Sequence, residues 1–480
     1  MNAHAMFYAT FWSSSAMSAR ILGPEAVLLM AVLMLAIGGC MRVFFQRPVE
    51  TFKRGVQLVE MRGGWRQAAR RMRPYQPGLS VAGVAIPFLD ETKHFKFIGT
   101  TGTGKSTAIR ELLAVAIRRG DRAVIADPDG GYVARFFERF RGDVILNPFE
   151  PRSVKWDWFA EIRNSYDVEQ LASGLVPSSN DASGQEWRGY ARTFLSAVAR
   201  RCHQAGLRDP KEIWRLLTVA SYDELRPIVA GTPAQPFLDP DNARMFGSIR
   251  SVTGSAVAAF EYIQAQRAAP FSVREWVRRG AGLLFIPYKA GQIAALRSMI
   301  AAWIRLAIFE AMSQPENHDQ RLWFIVDELD ALGAIDGLKD ALARLRKFGG
   351  RCVLGFQSIA QVSSTYGQGD AHTIIENCGN TLILRCSGSE NGGTSQFASK
   401  LIGEREIVRR QIARGRDRAG LFAARGLRRS TNVSEQTVTE VAVLPSELER
   451  LPDLRGYFKK ASSPEWFKVS LAGPGRGHAT

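Results

Sequence analysis

Gly99-Thr100-Thr101-Gly102-Thr103-Gly104-Lys105-Ser106 decides the reading of this chain, because it follows the apolar run Phe95-Lys96-Phe97-Ile98 and opens into a helical repeat. That repeat, Ala108, Ile109, Leu112, Leu113, Ala116 and Ile117, lies on one helix face and stops at Gly120. Strand, glycine-rich loop and helix in this order make a P-loop, the Gly-x-x-x-x-Gly-Lys-Ser cradle for nucleotide phosphates. Its glycines let backbone N–H groups approach phosphate oxygens, and the helix start adds the positive end of its dipole. Lys105 brings a full positive charge to the reacting phosphates, and Ser106 offers a hydroxyl to Mg²⁺. Gly99, Thr100, Thr101, Gly102, Thr103, Gly104, Lys105, Ser106 and Thr107 are therefore the expected nucleotide-binding residues. ATP and Mg²⁺ are the expected ligands, since no Asn/Thr-Lys-x-Asp motif for guanine is present.

The chain has 480 residues, room for two or three domains, and 46% of them are hydrophobic, which excludes a wholly disordered protein. Lys and Arg number 63 against 46 Asp and Glu, a formal net charge of +17 that suits a polyanionic partner, either nucleic acid or anionic lipid. Cys40, Cys202, Cys352, Cys378 and Cys386 form no Cys-x-x-Cys pair, and the histidines do not cluster. A disulfide framework and a structural zinc site are not expected.

Residues 26–41, AVLLMAVLMLAIGGCM, are uncharged and apolar, and with flanking Ile21, Leu22, Phe44 and Phe45 approach the length of a transmembrane helix. Arg42, Arg47, Lys53 and Arg54 follow this run, a placement that keeps the downstream chain cytoplasmic. A weaker apolar stretch, Ala5 to Trp12, is a candidate second span. The arginine-rich segment from Lys53 to Arg73 suits anionic lipid headgroups, and Pro74, Pro77 and Gly78 mark a linker.

Beyond the P-loop helix, Ala123-Val124-Ile125-Ala126-Asp127-Pro128-Asp129-Gly130 and Val144-Ile145-Leu146 read as buried parallel strands. Asp127 ends such a strand, where ligands of α/β sheets bind, so it joins the candidate nucleotide residues, with turn formation as the alternative. Roughly a hundred residues of helical pattern follow, too long for an ordinary loop and expected to be an inserted all-α domain. There Trp187, Tyr190, Ala191, Phe194, Leu195 and Val198 make an apolar stripe, while Arg188, Arg192, Arg200 and Arg201 lie off it. Arg188 and Arg192 are candidate DNA contacts, or a solvated face.

The strand pattern returns at Gly282-Leu283-Leu284-Phe285-Ile286-Pro287 and again at Leu322-Trp323-Phe324-Ile325-Val326-Asp327-Glu328, a Walker B pattern. Asp327 is the expected Mg²⁺ carboxylate and Glu328 the group that orients or deprotonates the attacking water. Val353-Leu354-Gly355-Phe356-Gln357-Ser358 forms the next strand, with Gln357 placed to sense the γ-phosphate. Strands near Thr381–Leu384 and Trp466–Leu471 complete the sheet, and the segment holding Arg409, Arg410, Arg414, Arg416, Arg418, Arg425, Arg428 and Arg429 is expected to be a mobile basic loop.

With its apolar N-terminal run, GTTGTGKS, VIADPDG, the helical insertion, WFIVDE and VLGFQS in that order, the chain resembles the type IV secretion coupling proteins of conjugation systems. The resemblance implies an α/β fold: a RecA-like P-loop NTPase core with a mostly parallel sheet, an all-α inserted domain and an N-terminal transmembrane anchor. It implies residues 1–75 as anchor and basic linker, 76–162 and 267–480 as the two parts of the nucleotide-binding domain, and 163–266 as the insertion. It also implies a homo-hexameric, DNA-dependent ATPase in the bacterial inner membrane that receives relaxase-bound DNA and drives it towards the secretion channel. On this resemblance Lys105, Ser106, Asp127, Asp327, Glu328 and Gln357 match the family's site, and Arg346 matches the arginine that reaches a neighbouring subunit's nucleotide. A duplex-DNA translocase of the chromosome-segregation type and a receptor that recruits effector proteins remain the competing readings.

Overall fold

The computed structural model describes residues 50–60, 78–179, 181–389, 392–416 and 429–472, without the side chains of 411–433. The expected spans at Ala5–Trp12 and 26–41, and most of the basic linker, lie outside these residues. Among the described residues no helix is long and apolar enough to cross a membrane.

The nucleotide-binding core is built on a ten-stranded sheet. From one edge its order is Leu58–Glu60, Trp466–Ser470, Arg455–Lys459, Asn380–Ile383, Phe95–Ile98, Gly350–Phe356, Leu322–Val326, Arg122–Pro128, Leu283–Tyr288 and Val144–Ile145. Every neighbouring pair from Asn380–Ile383 to Val144–Ile145 is parallel, whereas Arg455–Lys459 runs antiparallel to both of its neighbours. Parallel strands are covered on both faces, which is why they appear as continuous apolar runs. Successive residues alternate between two cores: Val124 and Ala126 face one, Ala123 and Ile125 the other. The P-loop helix, Lys105–Arg118, buries Ile109, Leu112 and Leu113 in the second core, and the helix Ile293–Met312 packs Ile300 and Trp303 into the first. The P-loop strand Phe95–Ile98 lies between Asn380–Ile383 and Gly350–Phe356, with the Walker B strand one place further. This is the mostly parallel arrangement expected of a RecA-like core. Arg455–Lys459 had no counterpart in the sequence reading, because Arg-Gly-Tyr-Phe-Lys is too short and mixed to show a period.

Residues 165–265 carry helices and 3-10 turns only. Their starts are capped: the Asp209 carboxylate accepts the Lys211 N–H, and the Ser221 hydroxyl accepts the Glu224 N–H. Phe194 meets Phe246 edge-on at 5.1 Å, and Ala191, Phe194, Leu195 and Val198 are fully buried as their stripe predicts. The insertion falls in the same contact unit as the nucleotide-binding core. Gly174 explains part of this: a Cβ there would lie 3.3 Å from that of Ala302, so the first insertion helix rests directly on Ile293–Met312. The buried Arg274–Asp167 ion pair, 2.6 Å, adds a second fastening.

A smaller unit holds Glu50–Gly55 with two long strands, Glu404–Arg416 and Arg429–Val441, in a three-stranded sheet. The ends of the expected basic loop, 409–416 and Arg429, are therefore strand, and residues 417–428 between them lie outside the described residues. Arg409 pairs with Glu50 and Glu440, and Arg410 with Glu435. Such cross-strand partners neutralise charges that look unbalanced in sequence.

Candidate functional site

The P-loop leaves the sheet between two supports. Gly99 N–H donates to Phe356 O at 3.3 Å, Thr100 N–H to Arg385 O at 2.9 Å, and Leu454 N–H reaches Thr103 O at 2.9 Å. Gly102 and Gly104 have φ of 78° and 115°, and a Cβ on Gly104 would stand 2.8 Å from Leu454 Cδ2, so glycine is required there on both counts. Lys105 Nζ turns back to Gly99 O, 2.6 Å, and Thr100 O, 3.3 Å. Burial pushes the Lys105 pKa down, against the pull of Asp327, Glu328 and Asp330.

The structure brings both halves of the expected site together. Ser106 Oγ donates to Asp327 Oδ2 at 2.6 Å. Asp327 is 2% exposed, and its Oδ1 is buried without a hydrogen-bond partner among the described residues. A buried carboxylate oxygen left open beside a serine hydroxyl fits a Mg²⁺ ion, a hard cation that takes oxygen ligands. Glu328 follows on the same strand end; burial and then Asp327 and Asp330 raise its pKa. Gln357 Nε2 donates to Glu328 Oε1 at 3.2 Å, while its Oε1 accepts from Thr101 Oγ1 at 2.9 Å. Gln357 thus links P-loop and Walker B. Gly355 makes this possible, since a Cβ there would fall 2.2 Å from Asp327 O.

Asp127 has a different role from the one expected. Its two oxygens accept the N–H groups of Tyr132, at 3.0 and 3.1 Å, and of Val133, at 2.7 Å. It holds the turn formed by Asp129 and Gly130, both at positive φ, rather than facing phosphate, and burial pushes its carboxyl up to about 6. Sequence reasoning missed what this turn delivers: the Tyr132 hydroxyl donates to Asp327 Oδ2 at 2.8 Å. It also missed Tyr288, whose buried hydroxyl has no hydrogen-bond partner among the described residues and whose pKa is raised first by burial and then by Glu328, Asp327 and Asp127. Both tyrosines follow an apolar strand end, and nothing in a single sequence separates them from core residues.

Residues 78–472 match the family described as the type IV secretion-system coupling protein DNA-binding domain. The chain belongs to the type IV secretion coupling proteins. It is 30% identical over 392 residues to the coupling protein TraD of Escherichia coli K12, covering 79% of this chain and 53% of TraD. A conjugal transfer protein TraG of Escherichia coli is 24% identical over 349 residues, with 53% of its length matched, so the chain spans about half the length of these curated relatives. Solved structures of the bacterial conjugative coupling protein TrwB superpose with a TM-score of 0.76 at 31% identity, over 88% of this chain and 94% of TrwB. TrwB has been solved with an ATP analogue, with ADP and Mg²⁺, and with a GTP analogue. The missing guanine motif therefore does not decide base preference in this fold.

In this coupling protein Arg346 is exposed and lies on the turn Arg346–Phe348, immediately before Gly350–Phe356. It stands at the N-terminal edge of a parallel sheet whose C-terminal edge carries Lys105, and the two do not meet within the chain. Arg188 and Arg192 are half-buried and internally bonded: Arg192 Nε donates to Val176 O at 2.6 Å and its guanidinium reaches Ser178 Oγ at 2.9 Å, while Arg188 donates to Pro177 O at 3.0 Å. They close the C-terminal end of the helix Ser165–Leu175 rather than forming a free cationic face.

Proposed function

We propose that this chain is a membrane-anchored, homo-hexameric ATP hydrolase that takes relaxase-bound DNA and drives it into a type IV secretion channel at the bacterial inner membrane. The Ser106–Asp327 contact of 2.6 Å with the open Oδ1 carries this reading, because it joins a phosphate cradle to a metal carboxylate. When nucleotide enters, Lys105 exchanges the carbonyls of Gly99 and Thr100 for phosphate oxygens, and Ser106 with Asp327 holds Mg²⁺. Bound there, Mg²⁺ would supply positive charge against the charge that develops on the phosphates. Glu328, with its raised pKa, orients and accepts a proton from the attacking water, and Gln357 carries the state of the phosphate between Thr101 and Glu328.

Arg346 completes a neighbouring subunit's site, a role supported by its position on the sheet edge away from its own P-loop. The net charge of +17 supports DNA as the polyanionic substrate, and anionic lipid beside the anchor as a second contact. Measuring ATP hydrolysis with and without DNA tests the proposal. DNA should raise the rate; a DNA-indifferent rate would leave a receptor for protein effectors instead of a motor.

A further inference from the structure

We infer that Tyr132 is a positioning residue that sets Asp327 for metal binding, an inference that rests on the Mg²⁺-nucleotide reading above. Tyr132 is 1% exposed and donates its hydroxyl to Asp327 Oδ2 at 2.8 Å, the same oxygen that Ser106 bonds at 2.6 Å. Both donors lie on Oδ2, and Oδ1 is left without a hydrogen-bond partner among the described residues. The terminal torsion of an aspartate is broad, so a lone carboxylate would not hold one oxygen towards an ion. Ser106 has a task of its own at the metal, whereas the Tyr132 hydroxyl is committed to Asp327 and its neighbour Ser106.

Tyr132 is itself fixed from two sides. Asp127 binds its N–H with both oxygens, and the Arg110 guanidinium lies over its ring, 5.5 Å from the centroid. Arg110 belongs to the P-loop helix, one turn beyond Ser106. Asp127 and Tyr132 therefore brace the Walker B carboxylate from the neighbouring strand, and Asp127 acts through Tyr132 without touching nucleotide. Outer-shell donors to metal carboxylates act in this way, by fixing the orientation of the ligating oxygen.

The test compares the full chain with Tyr132→Phe, which keeps the ring and removes only the hydroxyl. Mn²⁺ serves as the probe, added to ADP-loaded protein and read by the loss of its free aqueous electron paramagnetic resonance signal. Tyr132→Phe should weaken Mn²⁺ binding about tenfold or more. The affinity for a fluorescent ADP without metal should stay at the wild-type value, and unfolding should stay cooperative with its midpoint lowered by only a few degrees. Mn²⁺ affinity within about twofold of wild type would overturn the assignment, as would a matching loss of metal-free ADP affinity. Failure of the underlying reading looks different: wild-type chain would then bind ADP equally with and without metal, before any substitution is made.

Discussion

Ser106 Oγ and Asp327 Oδ2 are 2.6 Å apart although 221 positions separate the residues in the chain. This contact joins the cradle to the proposed metal carboxylate and leaves Glu328 as the proposed base, a division that two variants can read. Lys105→Ala removes the cation from the loop and should lose nucleotide binding together with roughly a hundredfold or more of the hydrolysis rate. Glu328→Gln leaves cradle and metal carboxylate intact, so it should retain nucleotide while hydrolysis falls by about 10²–10⁴. Fluorescent-nucleotide binding alongside phosphate release checks both, and equal loss of binding in the two variants would refute the division.

Arg346 gives an assembly-dependent outcome. Lys105→Ala subunits retain Arg346, and Arg346→Ala subunits retain a competent P-loop, so each alone should be nearly inactive. Mixed rings pair one subunit's intact P-loop with another's intact arginine and should regain hydrolysis. Rings shown to be mixed yet still inactive would leave Arg346 as an exposed residue of the turn Arg346–Phe348 with no part in hydrolysis.

His94 makes stability sensitive to acid. Its Nε2 donates to Leu342 O at 2.9 Å and its Nδ1 accepts the Cys352 N–H at 3.1 Å, a combination open only to neutral imidazole. Burial, reinforced by Arg346 and Arg351, pushes its pKa down to about 4. Between about 6.5 and 4 the unfolded chain therefore binds more protons than the folded one, and stability should fall as pH drops through that window, by about 3 kcal/mol in all. His94→Asn suits the backbone at φ 53° and should flatten the acid slope of denaturant midpoints measured in parallel with wild type.

Arg192 separates structural from DNA-binding charge. Arg192→Ala leaves Val176 O without its donor and should cost about 1–2 kcal/mol of stability, whereas Arg201→Ala, on the more exposed side of the same helix, should cost less. Thermal unfolding checks this. A drop in DNA affinity at unchanged stability would restore Arg192 as a nucleic-acid contact.

The core was legible because its signals are local. GTTGTGKS and WFIVDE each carry strand, turn and charge within a few residues, and both stand where the sheet requires them. Asp127 was misplaced because its acceptors are spent on N–H groups five and six residues onward, a turn that position alone does not reveal. The strands around Arg409 were read as loop because Glu435 and Glu440, which balance them, arrive after an intervening arginine run. Tyr132 stayed invisible for the same reason: its meaning lies in an acid 195 positions away.

The insertion leaves and rejoins the core beside a single short ladder, Lys155–Trp156 running parallel to Pro270–Phe271. Its first helix is pressed onto Ile293–Met312 at Gly174 and Ala302. The insertion is therefore held at a second place along its flank as well as at that ladder. Helix Ile293–Met312 in turn lies between Leu283–Tyr288 and the Walker B strand in the chain, so the insertion is seated on the element that leads into the two acids.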